Sequence, residues 1–178
     1  MRTPAASPRP LLTPSQTVGP FFGFALPWPD GPHVVEADYP GAFWLRGRVL
    51  DGAGEPVVDA LIESWQVGPA DCRGFGRCPT DGQGRYAIRT APPEPVPGPD
   101  GSTQAPHLAL SVFARGLLHR LVTRVYFPDQ AEANAADSVL ALVDEKLRDT
   151  LVATRTDDGY EFDIRLQGDD ETVFFDLA

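Results

Sequence analysis

The sequence predicts an all-β protein folded as an antiparallel β-sandwich. Three observations predict it. From residue 43 onward apolar residues recur with a period of two, the signature of half-buried strands. Seventeen glycines and 19 prolines among 178 residues punctuate the chain too often for long helices. The alternating stretches are short and separated by turn signals, the spacing of a sandwich.

Taken in order, residues 1–12 carry three prolines and no periodicity, and read as a flexible N-terminal tail. Residues 13–42 form an aromatic and proline-rich arm. Phe21, Phe22, Phe24 and Trp28 fall within eight positions, broken by Gly and Pro, a pattern suited to neither a helix nor a central strand. Such a cluster leaves water, either over the chain's own core or against a second chain. The sandwich occupies 43–178. In FWLRGRVLD, Phe43, Leu45, Gly47 and Val49 share one face, and DGAGEPV is a turn. VVDALIESWQ is the next strand, with Leu61 and Trp65 on one face and Ala60 and Ile62 on the other. RYAIRT sets Tyr86, Ile88 and Thr90 together. Six prolines within 91–106 argue against sheet pairing there. HLALSVFARG and RLVTRVYF alternate again, and a short helical segment is expected around 130–148. Asp158-Gly159 marks a hairpin before GYEFDIRLQ, and ETVFFDL reads as a last strand.

Composition excludes several function classes. The formal net charge is −10 and the isoelectric point near 4.6, the opposite of the basic footprint that nucleic acid or an anionic membrane requires. No apolar run reaches the roughly 20 residues of a membrane span, and the N-terminus lacks a secretory apolar stretch, so a cytoplasmic location is expected. Cys72 and Cys78 form a lone C-x5-C without a second pair for zinc, and read as free thiols. No dinucleotide fingerprint, Walker loop or nucleophile elbow occurs.

His107 shares a strand face with Ala109, Ser111, Phe113 and Arg115. An H-x-H pair there would set two imidazoles about 6.5–7 Å apart on one face, within reach of one metal ion. The second position is Ala109, and one histidine does not make a metal site. His107 therefore reads as a hydrogen-bonded, half-buried histidine. Arg115 ends the strand before Gly116. It is either a surface ion-pair partner or a planar fork aimed at a carboxylate. Tyr86 and Tyr160 read as core residues, whereas Tyr126 lies on the polar side of its strand.

Several ordered strings carry a resemblance: TPSQTVGPFF, LRGRVLDGAGEPVVDALIESWQ, FGRCPTDGQGRYAIRT, APHLALSVFARGLLHRLVTRVYF and FDIRLQGDDETVFFDL. Together, over about residues 11–177, the chain resembles the intradiol ring-cleavage dioxygenases. The resemblance implies a β-sandwich and a non-haem Fe(III) held by two Tyr and two His. It places the first Tyr after the W-Q strand and the second in the proline-rich loop. WQVGPADCRGFG and APPEPVPGPDGSTQAP contain neither, and of the paired histidines only His107 is kept. Tyr86 matches a packing tyrosine of the family. The FARG, TRVYF and QGDDETVFFDL strings look most like the metal-free α chain of the two-chain members.

That likeness implies no metal ligand in this chain and a partner β subunit carrying the Tyr/Tyr/His/His iron. It implies αβ protomers that assemble further, with the aromatic arm at the subunit interface. By motif it assigns Thr17, Gly19, Pro20 and Arg115 to the partner's substrate pocket. The implied reaction is O2-dependent cleavage of 3,4-dihydroxybenzoate to 3-carboxy-cis,cis-muconate. The other class open to this sequence is a non-enzymatic β-sandwich binding module. It shares V-x-D-x-x-G-x-P-V and T-D-x-x-G-x-Y but not the terminal strings.

Overall fold

The computed structural model describes residues 12–19, 21–68, 73–98 and 101–176. The tail up to residue 11, Pro20 and Cys72 lie outside the described residues. Two sheets face each other. The first contains β1 (Phe43–Leu50), β4 (Arg85–Thr90), β9 (Thr154–Thr156), β10 (Gly159–Glu161) and β11 (Ile164–Arg165). The second contains β2 (Leu61–Val67), β3 (Arg73–Pro79), β7 (His107–Phe113) and β8 (Leu121–Tyr126), in the order β3-β2-β7-β8. All pairings in the second sheet are antiparallel.

The core lies between the sheets and follows the period-two alternation. Leu45 and Val49 on β1 and Tyr86 and Ile88 on β4 meet Ile62, Leu108, Leu110, Val112 and Val125 from the facing sheet. Burying each such aliphatic side chain contributes about 1.5–3 kcal/mol. Tyr86 is buried in this layer, and its hydroxyl donates to the Phe162 carbonyl at 2.6 Å.

One departure from a purely antiparallel sandwich is found. β1 pairs in parallel with β10 and then β11, while β4 pairs with it antiparallel on the other edge. GYEFDIRLQ is thus two short strands rather than one. Asp163, between them, accepts both the Arg48 backbone N–H at 2.8 Å and its guanidinium at 2.7 Å. Gly47 permits the close approach: a Cβ there would lie 1.8 Å from the Phe162 carbonyl oxygen.

Three expectations need correction. ETVFFDL is not a strand. Phe175 N–H reaches the Val122 carbonyl at 2.7 Å, but Val173 N–H and its carbonyl bond to the hydroxyls of Thr150 and Thr123, so side chains take the place of a ladder. The proline-rich stretch does pair, as the two-residue strands β5 (Val96–Pro97) and β6 (Thr103–Gln104), short enough to need few N–H donors. The arm contains one helical turn, α1 (Phe22–Ala25). The expected helical segment is present as α2 (Ala131–Ala136) and flanking 3-10 turns through Leu151.

The arm also closes the sandwich edge. Gly31 O accepts from Arg77 N–H at 2.7 Å, while Pro32 O and Val34 N–H bond to Arg89 at 2.8 Å. Residues 31–34 therefore cover the exposed edges of β3 and β4, which would otherwise offer unpaired backbone groups.

Candidate functional site

The arm is fixed by side chains that the local sequence places for the purpose. Phe22 packs on Phe113 of β7 at 5.6 Å between ring centroids, and Trp28 stacks on Phe75 of β3 at 6.0 Å. Arg77 of β3 ties the two together. Its guanidinium donates to Glu63 at 2.8 and 2.5 Å and to the Leu26 carbonyl at 3.0 Å, and lies over the rings of Trp28 and Phe75. Upstream, the Thr17 hydroxyl accepts the Gly116 N–H at 2.7 Å. Gly116 has φ +94°, a conformation that glycine adopts without a Cβ penalty, and it presents its amide to the arm.

This anchoring creates a cavity of about 430 Å³ between the arm and one end of the second sheet. Gly19 and Phe22 form one wall, Asp59 and Leu61 another, and Arg115 stands at the end of β7. Arg115 Nε meets Asp59 Oδ2 at 2.9 Å, while the arginine side chain is 77% exposed. An exposed pair of this kind is worth little by itself, and among the described residues the terminal guanidinium nitrogens have no hydrogen-bond partner. The cavity thus has a glycine-lined wall and a largely exposed cation in its lining.

Of the residues singled out in the sequence, Gly19, Phe22 and Arg115 line this one cavity. Thr17 does not line it but fixes the wall through Gly116, next to Arg115. Asp59 was not foreseen, because no motif links a turn residue before β2 to the end of β7. Phe21 and Phe24 are 80% and 84% exposed, and Trp65 on the same sheet face 56%.

His107 is 8% exposed, more buried than expected, and its Nδ1 lies 2.7 Å from the Ala105 carbonyl. Burial pushes its pKa below the usual histidine value, opposed by that carbonyl and reinforced by Arg124. The cross-strand neighbour Tyr126 is fully buried, and its hydroxyl donates to Asp137 at 3.1 Å. Burial raises Tyr126 to about 12. Asp137, also buried, accepts backbone N–H bonds from Ala105, Val139 and Leu140 at 2.7–2.9 Å.

The iron implied by the resemblance can be tested against this donor set. His107 stands alone beside Ala109, the nearest carboxylate is committed to three amides and a phenol, and a guanidinium lies alongside. Among the described residues no group of three His, Cys, Asp or Glu side chains could hold a metal ion. These residues do not fit iron. Cys78 is a free, buried thiol whose pKa burial pushes up.

A larger cavity, about 610 Å³, opens where Phe43 and Trp44 of β1, Arg89 of β4 and Tyr160 of β10 meet Pro106 and Phe127, which flank strands of the second sheet. Phe43 and Tyr160 line it, but Thr17, Gly19 and Arg115 do not. Its Arg155, Asp129 and Tyr160 satisfy one another at 2.8–3.2 Å. No helix among the described residues is long and apolar enough to cross a membrane.

Comparison with known proteins agrees with this architecture. A family model described as "Dioxygenase" matches residues 33–168. The protocatechuate 3,4-dioxygenase alpha chain of Burkholderia cepacia is 39% identical over 93% of this chain and 97% of its own length. The beta chain of that organism's protocatechuate 3,4-dioxygenase is 36% identical over 72% of this chain and 65% of its own. Among solved structures, hydroxyquinol 1,2-dioxygenase from Pseudomonas putida DLL-E4 shares the fold, with a TM-score of 0.61, 23% identity, and 88% and 68% of the two chains covered.

Proposed function

The chain belongs to the intradiol ring-cleavage dioxygenase family, and we propose that it acts there as the metal-free α subunit of an αβ protocatechuate 3,4-dioxygenase. The relative matched over nearly its whole length is an alpha chain, and a beta chain is similar to the same sequence. The iron belongs to the partner β subunit, through its two Tyr and two His. The reaction opens 3,4-dihydroxybenzoate between its hydroxylated carbons. Both atoms of O2 enter the product, and each hydroxylated carbon becomes a carboxylate of 3-carboxy-cis,cis-muconate.

This chain's part is to complete the substrate pocket from outside. Gly19 and Pro20 would give the pocket a backbone wall, since a glycine without a Cβ lets the ring approach closely and a proline holds the turn. Thr17 would hold that wall in register. Arg115 would supply a charge-assisted hydrogen bond to the ring carboxylate, the group that distinguishes this substrate from plain catechol. Phe21, Phe24 and Trp65, exposed in the isolated chain, would be covered by the partner.

The observation that carries this reading is the convergence of the arm and Arg115 on one cavity. The Thr17–Gly116 bond and the packing of Phe22 on Phe113 together set a wall 96 positions away in the sequence beside Arg115. Kinetics of the αβ enzyme with Arg115→Ala test it. A raised KM for 3,4-dihydroxybenzoate, with iron content and assembly unchanged, supports the role. Equal losses with catechol would make Arg115 structural, and unchanged kinetics with both would remove it from the pocket.

A further inference from the structure

The face of β7 that carries His107 and Ala109 is flanked in register on both sides. Ala109 pairs with Trp65 of β2 and with Arg124 of β8, and His107 pairs with Tyr126. Side chains directly opposite in an antiparallel pair start with Cβ atoms about 4.5–5.5 Å apart. Arg124 does not leave this face for solvent. One guanidinium nitrogen donates to Gln104 Oε1 at 2.9 Å and lies 3.3 Å from the Tyr126 hydroxyl, and Cζ sits 5.9 Å from the ring centre of Phe175. Partners from β6, β8 and the C-terminal segment thus hold the cation beside the His107–Ala109 row.

His107 is otherwise set up as a ligand would be. Nδ1 faces a backbone carbonyl, the arrangement that fixes a metal-binding imidazole and leaves the lone pair on Nε2. Asp137, the buried carboxylate nearby, has both oxygens engaged by backbone amides and Tyr126, so it is not free to serve as a further ligand. The missing imidazole at position 109 is therefore only part of why this face would reject a metal ion.

We infer that Arg124 is a built-in substitute for a metal. Its guanidinium holds a fixed positive charge on the β7–β8 face where a metal ion bound by a His-x-His pair would sit, so this chain refuses such an ion even when the second histidine is supplied. A divalent ion about 5 Å from a unit positive charge is disfavoured more than tenfold even at the dielectric constant of water, and more in a partly buried setting. The inference rests on strand register and hydrogen bonds, and stands whether or not the chain has the partner proposed above.

Nickel(II) is a suitable probe, because imidazole suits it and it is distinguishable from any iron. The full chain, without an affinity tag containing histidine, is titrated calorimetrically with Ni(II), and retained nickel is counted after desalting. Ala109→His alone is expected to bind no better than the parent. Ala109→His with Arg124→Gln is expected to bind one nickel at least about tenfold more tightly. Ala109→His with Arg124→Lys, which keeps the charge, is expected to stay at the parent's level. Should the Gln variant unfold, Arg124→Met, which preserves an apolar stem against Phe175, takes its place. Equal affinity in Ala109→His and the charge-removed double variant overturns the inference. So does a folded double variant that still binds no nickel, or an Arg124→Lys variant that binds as well as the Gln one.

Discussion

The hydroxyl of Thr17 accepts the backbone N–H of Gly116 at 2.7 Å, across 99 positions of sequence, and thereby fastens the arm to the end of β7. That fastening, together with the packing of Phe22 on Phe113, brings Gly19 and Arg115 to the same cavity. Among the described residues the arginine's ion-pair partner is Asp59, at 2.9 Å through Nε, and its side chain is largely exposed.

Arg115→Ala is expected to raise the KM of the αβ enzyme for 3,4-dihydroxybenzoate about tenfold. A charge-assisted hydrogen bond is worth about 1.5–3 kcal/mol, and the exposure of Arg115 favours the low end. Catechol, which lacks the carboxylate, should be far less affected. Steady-state kinetics with both substrates check this.

Thr17→Val keeps the shape of the side chain and removes the acceptor. The expected result is a milder KM increase with both substrates, since the wall shifts but the charge stays. A substrate-selective effect equal to that of Arg115→Ala would contradict the distinction between wall and charge.

The isolated chain should self-associate through Phe21, Phe24 and Trp65, all more than half exposed. Phe21→Ser with Phe24→Ser should reduce light scattering of the isolated chain and weaken its hold on the partner. A parent chain that remains a soluble monomer at high concentration would count against the interface.

Much of this was legible in the sequence, and the parts that were not have physical reasons. Alternation grouped the inward residues of β1 and β4, since burial of Leu45 and Ile88 is what period two encodes. It could not reveal that ETVFFDL forgoes a ladder, because its pattern suits a strand and only the hydroxyls of Thr123 and Thr150 divert its backbone. Tyr126 looked polar-facing because a later segment covers it: Leu140, Val143 and Leu151 pack over that side. Gly19 and Arg115 were legible as motif residues, whereas their common cavity and Asp59 depend on long-range geometry that no spacing reports.

Gly47→Ala should be strongly destabilising. The added Cβ would lie 1.8 Å from a backbone carbonyl that cannot retreat without breaking the pairing of β1 with β10 and β11. A loss of about 3 kcal/mol or more is expected, read from denaturant unfolding. A variant as stable as the parent would show that the β1–Phe162 approach is wrong.

His107 gives an acid-side prediction. Burial, the main cause, lowers its pKa in the fold, so the folded chain takes up this proton less readily than the unfolded chain. Its contribution to stability is full above the unfolded value, about 6.5, and is lost as pH falls from there through the lowered folded value. His107→Gln should therefore flatten the dependence of the urea midpoint on pH just below about 6.5. An unchanged dependence would assign that limb to other groups.

The central claim is that this chain completes an iron enzyme whose iron it does not hold. Co-expression with a β chain carrying the two tyrosines and the H-x-H pair, purification through a tag on this chain, and assay of iron and O2-dependent consumption of 3,4-dihydroxybenzoate test it most directly. The account predicts an active complex with about one iron per αβ pair, and no iron or activity in this chain alone. Stoichiometric iron and turnover in the isolated chain, or failure to retain the β chain, would contradict it.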